Sequence, residues 1–278
     1  MNKIKRYTYG FAFILCMAAL SSCISEVDVD IPEQFPKLVI GSFINPEDDG
    51  IAVLVTSSSP IFSQNENIDI HESLENATVV ISDGTNEVTI PYDENRYLYY
   101  ISMDEFTIHY GGTYTLEVNV SGYKTVTATT TVPLSTLDFD EAIVSDIDTN
   151  NQDYFDFIAY NFRFKWQDDP QESNLYRLYV TESNSGSYAI TDKFITDEDR
   201  EGEAITENGY VESYYFDQNA SFDALLINCS EDYFKYHRSL QNVTYGDPFS
   251  EPAIIYSNVK NGLGCFGGYS SSFAHITP

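Results

Sequence analysis

The run Asp146-Ile-Asp148-Thr-Asn150-Asn151-Gln-Asp153 sets side-chain oxygens at its first, third and fifth positions, the donors a hard cation such as calcium takes. Its sixth position is Asn151 where a calcium loop has Gly, and its twelfth is Phe157 where the loop has Glu. Asp146, Asp148 and Asn150 are therefore an incomplete calcium candidate, set against a solvated linker. Gly262-Leu-Gly264-Cys-Phe-Gly267 spells G-x-G-x-x-G. A dinucleotide site needs that pattern between a strand and a helix N-terminus, with an acid about 20 residues on. Here Tyr269 and three serines follow, so the pattern reads as a glycine-rich turn where backbones approach closely or φ is positive. His71, His109, His237 and His275 are scattered, with no H-E-x-x-H, which argues against zinc. No G-x-S-x-G elbow occurs, and spacing selects no catalytic pair among the 43 acids. No catalytic residue, cofactor or bound metal is expected.

Cys23 is the residue with the clearest chemistry. Lys3, Lys5 and Arg6 form a positive start, and Phe11 to Leu20 is an apolar run of ten residues. A helix needs about 20 apolar residues to span a bilayer, so this run suits a secretory leader better than an anchor. It ends in Leu20-Ser21-Ser22-Cys23, which resembles a lipobox. Small residues there fit the peptidase cleft, and the thiol takes a diacylglyceryl group before cleavage. One acyl chain anchors only marginally, and two or three hold firmly. Glu26, Asp28 and Asp30 follow, and acid just past such a cysteine resembles an export signal for the outer face of an outer membrane. The expected location is the outer membrane, with the surface-exposed face favoured over the periplasmic one.

Charge narrows the partners. The chain carries −29, and losing its three leader cations takes the body to −32. Such a body repels phosphate backbones, so nucleic acid is not an expected partner. With Cys16 in the leader and Cys23 lipidated, Cys229 and Cys265 are left as a candidate disulfide in an oxidising compartment. Their spacing does not decide whether the Cα atoms come within about 7 Å. The 22 Tyr and 18 Phe exclude wholesale disorder.

The elements that must position these residues alternate with period two. Residues 1–22 are the leader and 23–36 an acidic tether ending in Pro32 and Pro36. Over 37–133, Ile51, Val53 and Val55 share a face, as do Ala77, Val79 and Ile81, and then Tyr114, Leu116, Val118 and Val120. Tyr114 has the setting of a tyrosine corner. Residues 134–153 are acidic and poorly periodic, and are expected to be a linker. In 154–278 a strand from Ile158 to Trp166 precedes Tyr176-x-Leu178-x-Val180, and Leu225, Ile227 and Cys229 alternate. Residues 195–209 read as a charged loop. Ser230 reads as an N-cap, with Glu231 and Asp232 in the first turn and Tyr233, Tyr236, His237 and Leu240 on one helical face. The fold class is all-β: an immunoglobulin- or prealbumin-like sandwich, then a fibronectin-like or irregular sandwich with one short helix. The tyrosines at 97, 99, 100, 214 and 215 read first as β packing, and otherwise as a stacking platform for sugar or peptide.

The closing segment Pro248-Phe-Ser-Glu251-Pro-Ala-Ile-Ile-Tyr256-Ser-Asn258-Val-Lys-Asn261-Gly262-Leu-Gly264-Cys-Phe266-Gly267-Gly268-Tyr resembles that of a family of Bacteroidetes outer-membrane lipoproteins, domain of unknown function 4249. Pro36-Lys-Leu-Val-Ile, Thr-Val-Pro133 and the Glu231-Asp-Tyr-Phe-Lys-Tyr helix agree with it. The resemblance covers nearly the whole chain after Cys23. It assigns no catalytic residues. It implies an outer-membrane lipoprotein, often encoded beside TonB-dependent receptors. Cys265 stands where the family usually has an aliphatic residue. The function expected is a non-enzymatic binding or accessory module beside a TonB-dependent transport system, with an outer-membrane TonB-dependent receptor as partner. An envelope hydrolase and a structural or adhesive surface module are the alternatives.

Overall fold

The computed structural model describes residues 35–59, 73–148, 158–183, 189–213, 220–244 and 254–278. Cys23 and Asn150 lie outside these residues, as do Tyr214 and Tyr215. Fifteen strands and one helix are defined. The strands of the first half are β1 (Leu38–Ile44), β2 (Gly50–Ser57), β3 (Thr78–Ser82), β4 (Glu87–Ile90), β5 (Tyr92–Asp93), β6 (Leu98–Ser102), β7 (Thr113–Asn119) and β8 (Val126–Thr131). Those of the second are β9 (Phe139–Asp148), β10 (Ile158–Gln167), β11 (Leu175–Glu182), β12 (Ala189–Thr196), β13 (Ala204–Ser213) and β14 (Phe222–Cys229), then helix α1 (Glu231–Thr244) and β15 (Leu263–Ile276).

The fold is all-β, with its sheets packed as sandwiches. One eight-stranded sheet runs β12-β11-β14-β15-β1-β2-β6-β5. Its β1–β2–β6 end faces the four-stranded sheet β4-β3-β7-β8. Its β11–β14 end faces the three-stranded sheet β13-β10-β9. Alternation dictates each face. In β2, Ile51, Val53 and Val55 point inward, and β3 answers with Val79 and Ile81. In β10, Tyr160, Phe162, Phe164 and Trp166 are buried while Arg163, Lys165 and Gln167 are exposed. Tyr114 is the expected corner: its buried hydroxyl accepts the His109 N–H at 2.7 Å.

β15 joins the two sandwiches. Its first half lies parallel to β1, pairing Val39 with Leu263 and Ile44 with Gly268. Its second half runs antiparallel to β14, pairing Cys229 with Tyr269 and Phe222 with Ile276. Phe266 therefore sits in the first core and Ile276 in the second. Gly262 lies in the turn that leads into β15, and from Leu263 onward the G-x-G-x-x-G pattern is strand. Gly264 has φ +101°, and a Cβ on it would lie 1.9 Å from the Ile40 carbonyl oxygen. The close backbone approach is the reason for the glycine, and the strand is what the glycine count concealed.

Two further expectations are corrected. Residues 134–153, read as a linker, contain β9, which pairs along β10. Register shifts at Asn161/Phe162 and Lys165/Trp166 break its alternation. Residues 195–209, read as a charged loop, hold the end of β12 and the start of β13, leaving only a short turn between them. Asp197 in that turn is not solvated: it is 3% exposed and its carboxylate accepts the Ser173 hydroxyl at 3.3 Å.

Candidate functional site

Helix α1 is laid on the outer face of the shared sheet. Ser230 caps it, accepting the Tyr233 N–H at 3.3 Å. The same hydroxyl accepts the Gly268 N–H at 3.1 Å, and Gly268 N–H also donates to Thr130 Oγ1 at 2.9 Å. One short polar knot thus ties β8, the helix start and β15. Tyr233 and Phe234 then pack on Ile227 and Cys229, with Phe43, Phe194, Leu225 and Tyr269 around them. Alternation in β14 explains this second face: Phe222, Ala224 and Leu226 turn to the core, so Leu225, Ile227 and Cys229 turn to the helix.

A group of titratable side chains lies under α1. Arg177 on β11 grips Asp192 on β12 through two bonds, Nε to Oδ1 at 2.8 Å and Nη2 to Oδ2 at 2.9 Å. Its Nη1 donates to the Tyr233 hydroxyl at 3.3 Å. Burial alone would lower the guanidinium pKa, and the Asp192 pair outweighs it, so the group is held above its ordinary value. Burial pushes the Tyr233 phenol up to about 12. His237 is stacked among Phe43, Tyr233 and Tyr236, with ring centroids at 4.9, 4.3 and 5.4 Å. Its buried Nε2 has no hydrogen-bond partner. Burial, aided by the Arg177 charge, pulls its pKa down to about 4, so it is neutral near pH 7. Tyr269 donates to Asp48 at 3.1 Å, and Tyr256 to Asp232 at 2.6 Å.

Neither thiol beside this arrangement is held as a thiolate. Burial raises the Cys229 thiol well above its ordinary range, and burial with Asp232 nearby pushes Cys265 up to about 12. The structure holds both as buried thiols, not as the disulfide considered from sequence. They turn to different carbonyls, Cys229 to Leu175 at 3.2 Å and Cys265 to Asp232 at 3.6 Å. Asp146 and Asp148 fall on the exposed part of strand β9, not on a loop. An extended strand does not curl their oxygens around one point. Among the described residues no group of three or more His, Cys, Asp or Glu is arranged to hold a metal ion. His109 and His275 are remote from His237 in role: the first lends its N–H to Tyr114, and the second pairs with Asp223 at 2.7 Å. Of the tyrosines, Tyr99 is buried and bonds Leu74 O at 2.6 Å, which is packing, while Tyr97 is exposed with φ 56°.

The closing motif is explained by position. The Asn258 side chain pairs with the Phe266 backbone in both directions, at 3.0 and 2.8 Å. Asn261 donates to Thr125 O at 3.1 Å. A Cβ on Gly267 would lie 3.0 Å from Tyr233 Cβ, and one on Gly268 2.8 Å from Thr131 O. These residues seat β15 between β1, β8 and α1. The family model described as "Domain of unknown function (DUF4249)" matches residues 24–273. The chain belongs to this family. No curated protein matches it. Among solved structures, the three N-terminal domains of the bacteriophage RB49 highly immunogenic outer capsid protein (Hoc) are similar at 14% identity. That likeness covers 87% of this chain and 69% of the phage chain, with a TM-score of 0.25.

Arg177 and Asp192 had a partial signal in sequence. Arg177 is the polar neighbour of inward Tyr176 and Leu178, so it had to face outward. Nothing local marked Asp192 or the Tyr269–Asp48 contact, which joins residues 221 apart.

Proposed function

We propose that this chain is a non-enzymatic binding or accessory module, held at the outer membrane by lipid on Cys23 and working beside a TonB-dependent transporter. The order of parts along the chain carries the reading. A basic start and a short apolar run end at Leu20-Ser21-Ser22-Cys23, and the family match begins at the next residue. The compact body begins at Pro36, so the tether between anchor and body is short. Acid at Glu26, Asp28 and Asp30 favours the outward face. A surface helix fixed by paired charges and rings suits a recognition surface better than a reaction centre. The test is affinity capture of the tagged chain from native outer membranes. Co-purification of a TonB-dependent receptor supports the reading, and its absence overturns it. Cys23→Ala should move the chain from the membrane fraction to the soluble one. Protease treatment of intact cells should digest the body, and full protection would place it on the periplasmic side.

A further inference from the structure

Beyond the part covered by α1, the outer face of the shared sheet carries one row of apolar side chains. Register aligns Tyr179 with Leu225 and Leu225 with Phe273 across β11, β14 and β15. Phe273 is 61% exposed, the most exposed aromatic side chain on any described strand. Leu225 packs against the helix-bearing cluster, so α1 forms a wall at one side of the row. Two interstrand spacings give the row about 10 Å of floor. The next row along the same strands aligns Thr181, Asp223 and His275. There Asp223 and His275 join at 2.7 Å while both remain partly exposed. A His275 ring that gives its Nδ1–H to Asp223 leaves Nε2 as an acceptor on the far side of the ring, and the carboxylate keeps its second oxygen as another.

An exposed ring at the end of an apolar row, next to a row that carries a carboxylate and an imidazole, is the chemistry that a sugar ring meets. Its apolar C–H face stacks on a ring, and its neighbouring hydroxyls donate to the acceptors. We infer that this shelf, with Phe273 as its stacking residue and Asp223 and His275 as its polar rim, binds a neutral oligosaccharide. Neutral glycans fit the charge: a chain at −29 repels anionic ones. A basic peptide is the competing occupant and is an outcome of the test. The inference rests on the binding-module reading and adds the ligand class.

The experiment is calorimetric titration of the full chain, purified in a detergent with no sugar headgroup, with maltohexaose, cellohexaose, laminarihexaose and chitohexaose. Saturable binding of at least one is expected. Phe273→Ala should weaken it about tenfold, and Phe273→Tyr should keep it within about threefold, because the stacking face remains. Asp223→Ala should weaken it by about the same factor as one charged hydrogen bond, roughly tenfold or more. Both side chains are on the surface, so an unchanged melting temperature separates lost contact from lost fold. Binding to none of the four glycans, binding that survives Phe273→Ala, or binding of an octalysine peptide in their place would overturn the inference. Receptor capture with failed glycan titration would remove the shelf and leave the accessory reading intact. Failure of both would remove both.

Discussion

Around β2 and β3 the core is built mainly from Val and Ile; β10 lines the other core with rings. The first sandwich packs branched aliphatics such as Val53, Val79 and Val118, and the hydroxyls of Tyr99 and Tyr114 bond backbone at its edges. The second stacks Phe162 on Phe164 at 5.8 Å and sets Trp166 edge-on to Tyr176 at 5.4 Å. It also buries acid. Asp168 is 1% exposed, and accepts the Tyr176 hydroxyl and the Gly202 N–H. The difference assigns the two halves different tasks. The first half is a scaffold closed by aliphatic packing, whereas the second half buries Asp168 in its interior, holds Arg177 and Asp192 under α1 and carries the exposed row beside them on its outer face. Both depend on β15.

The largest effect should come from the joint itself. Gly264→Val forces a side chain into the Ile40 carbonyl at a φ of +101°, a cost beyond about 5 kcal/mol when clash and strain combine. Loss of folded protein, measured by circular dichroism, should include both sandwiches. Asp168→Ala strands the buried Tyr176 hydroxyl and Gly202 N–H, and should cost about 2–4 kcal/mol in urea denaturation. His237 comes next. Its folded pKa of about 4 lies below the unfolded value of about 6.5, so the unfolded chain binds the extra proton between those limits. Its contribution is whole above about pH 6.5 and fades as pH falls toward 4, by on the order of 3 kcal/mol. Urea melts across that window should show the slope, and His237→Phe should flatten it. Tyr114→Phe removes one hydrogen bond to His109 N–H and should cost about 1 kcal/mol. Although Tyr114 lies in the first sandwich, it should shift the same transition as Asp168→Ala.

Local pattern was legible wherever one face of a strand is buried. The Val and Ile alternation in β2 and β3, the alternation of Tyr114, Leu116 and Val118 in β7, the ring alternation in β10, and the Ser230 cap could be read directly. What stayed hidden is nonlocal. β9 lost its period to two bulges, and Asp197 looked solvated because the loop that buries it arrives from residues 173 and 174. The glycines of β15 looked like a turn because their reason, the Ile40 and Thr131 carbonyls, lies more than a hundred residues away. The same distance kept the candidate site obscure. Arg177 could be sent outward, but its meeting with Asp192 and Tyr233 depends on sheet register and helix placement.

Shared by both cores, β15 makes the two differently built sandwiches one folding unit. Differential scanning calorimetry of the full chain tests it most directly. A single transition is expected, whose calorimetric and van't Hoff enthalpies agree and which Tyr114→Phe and Asp168→Ala both move as a whole. Two resolved transitions, each shifted by only one of those substitutions, would contradict it.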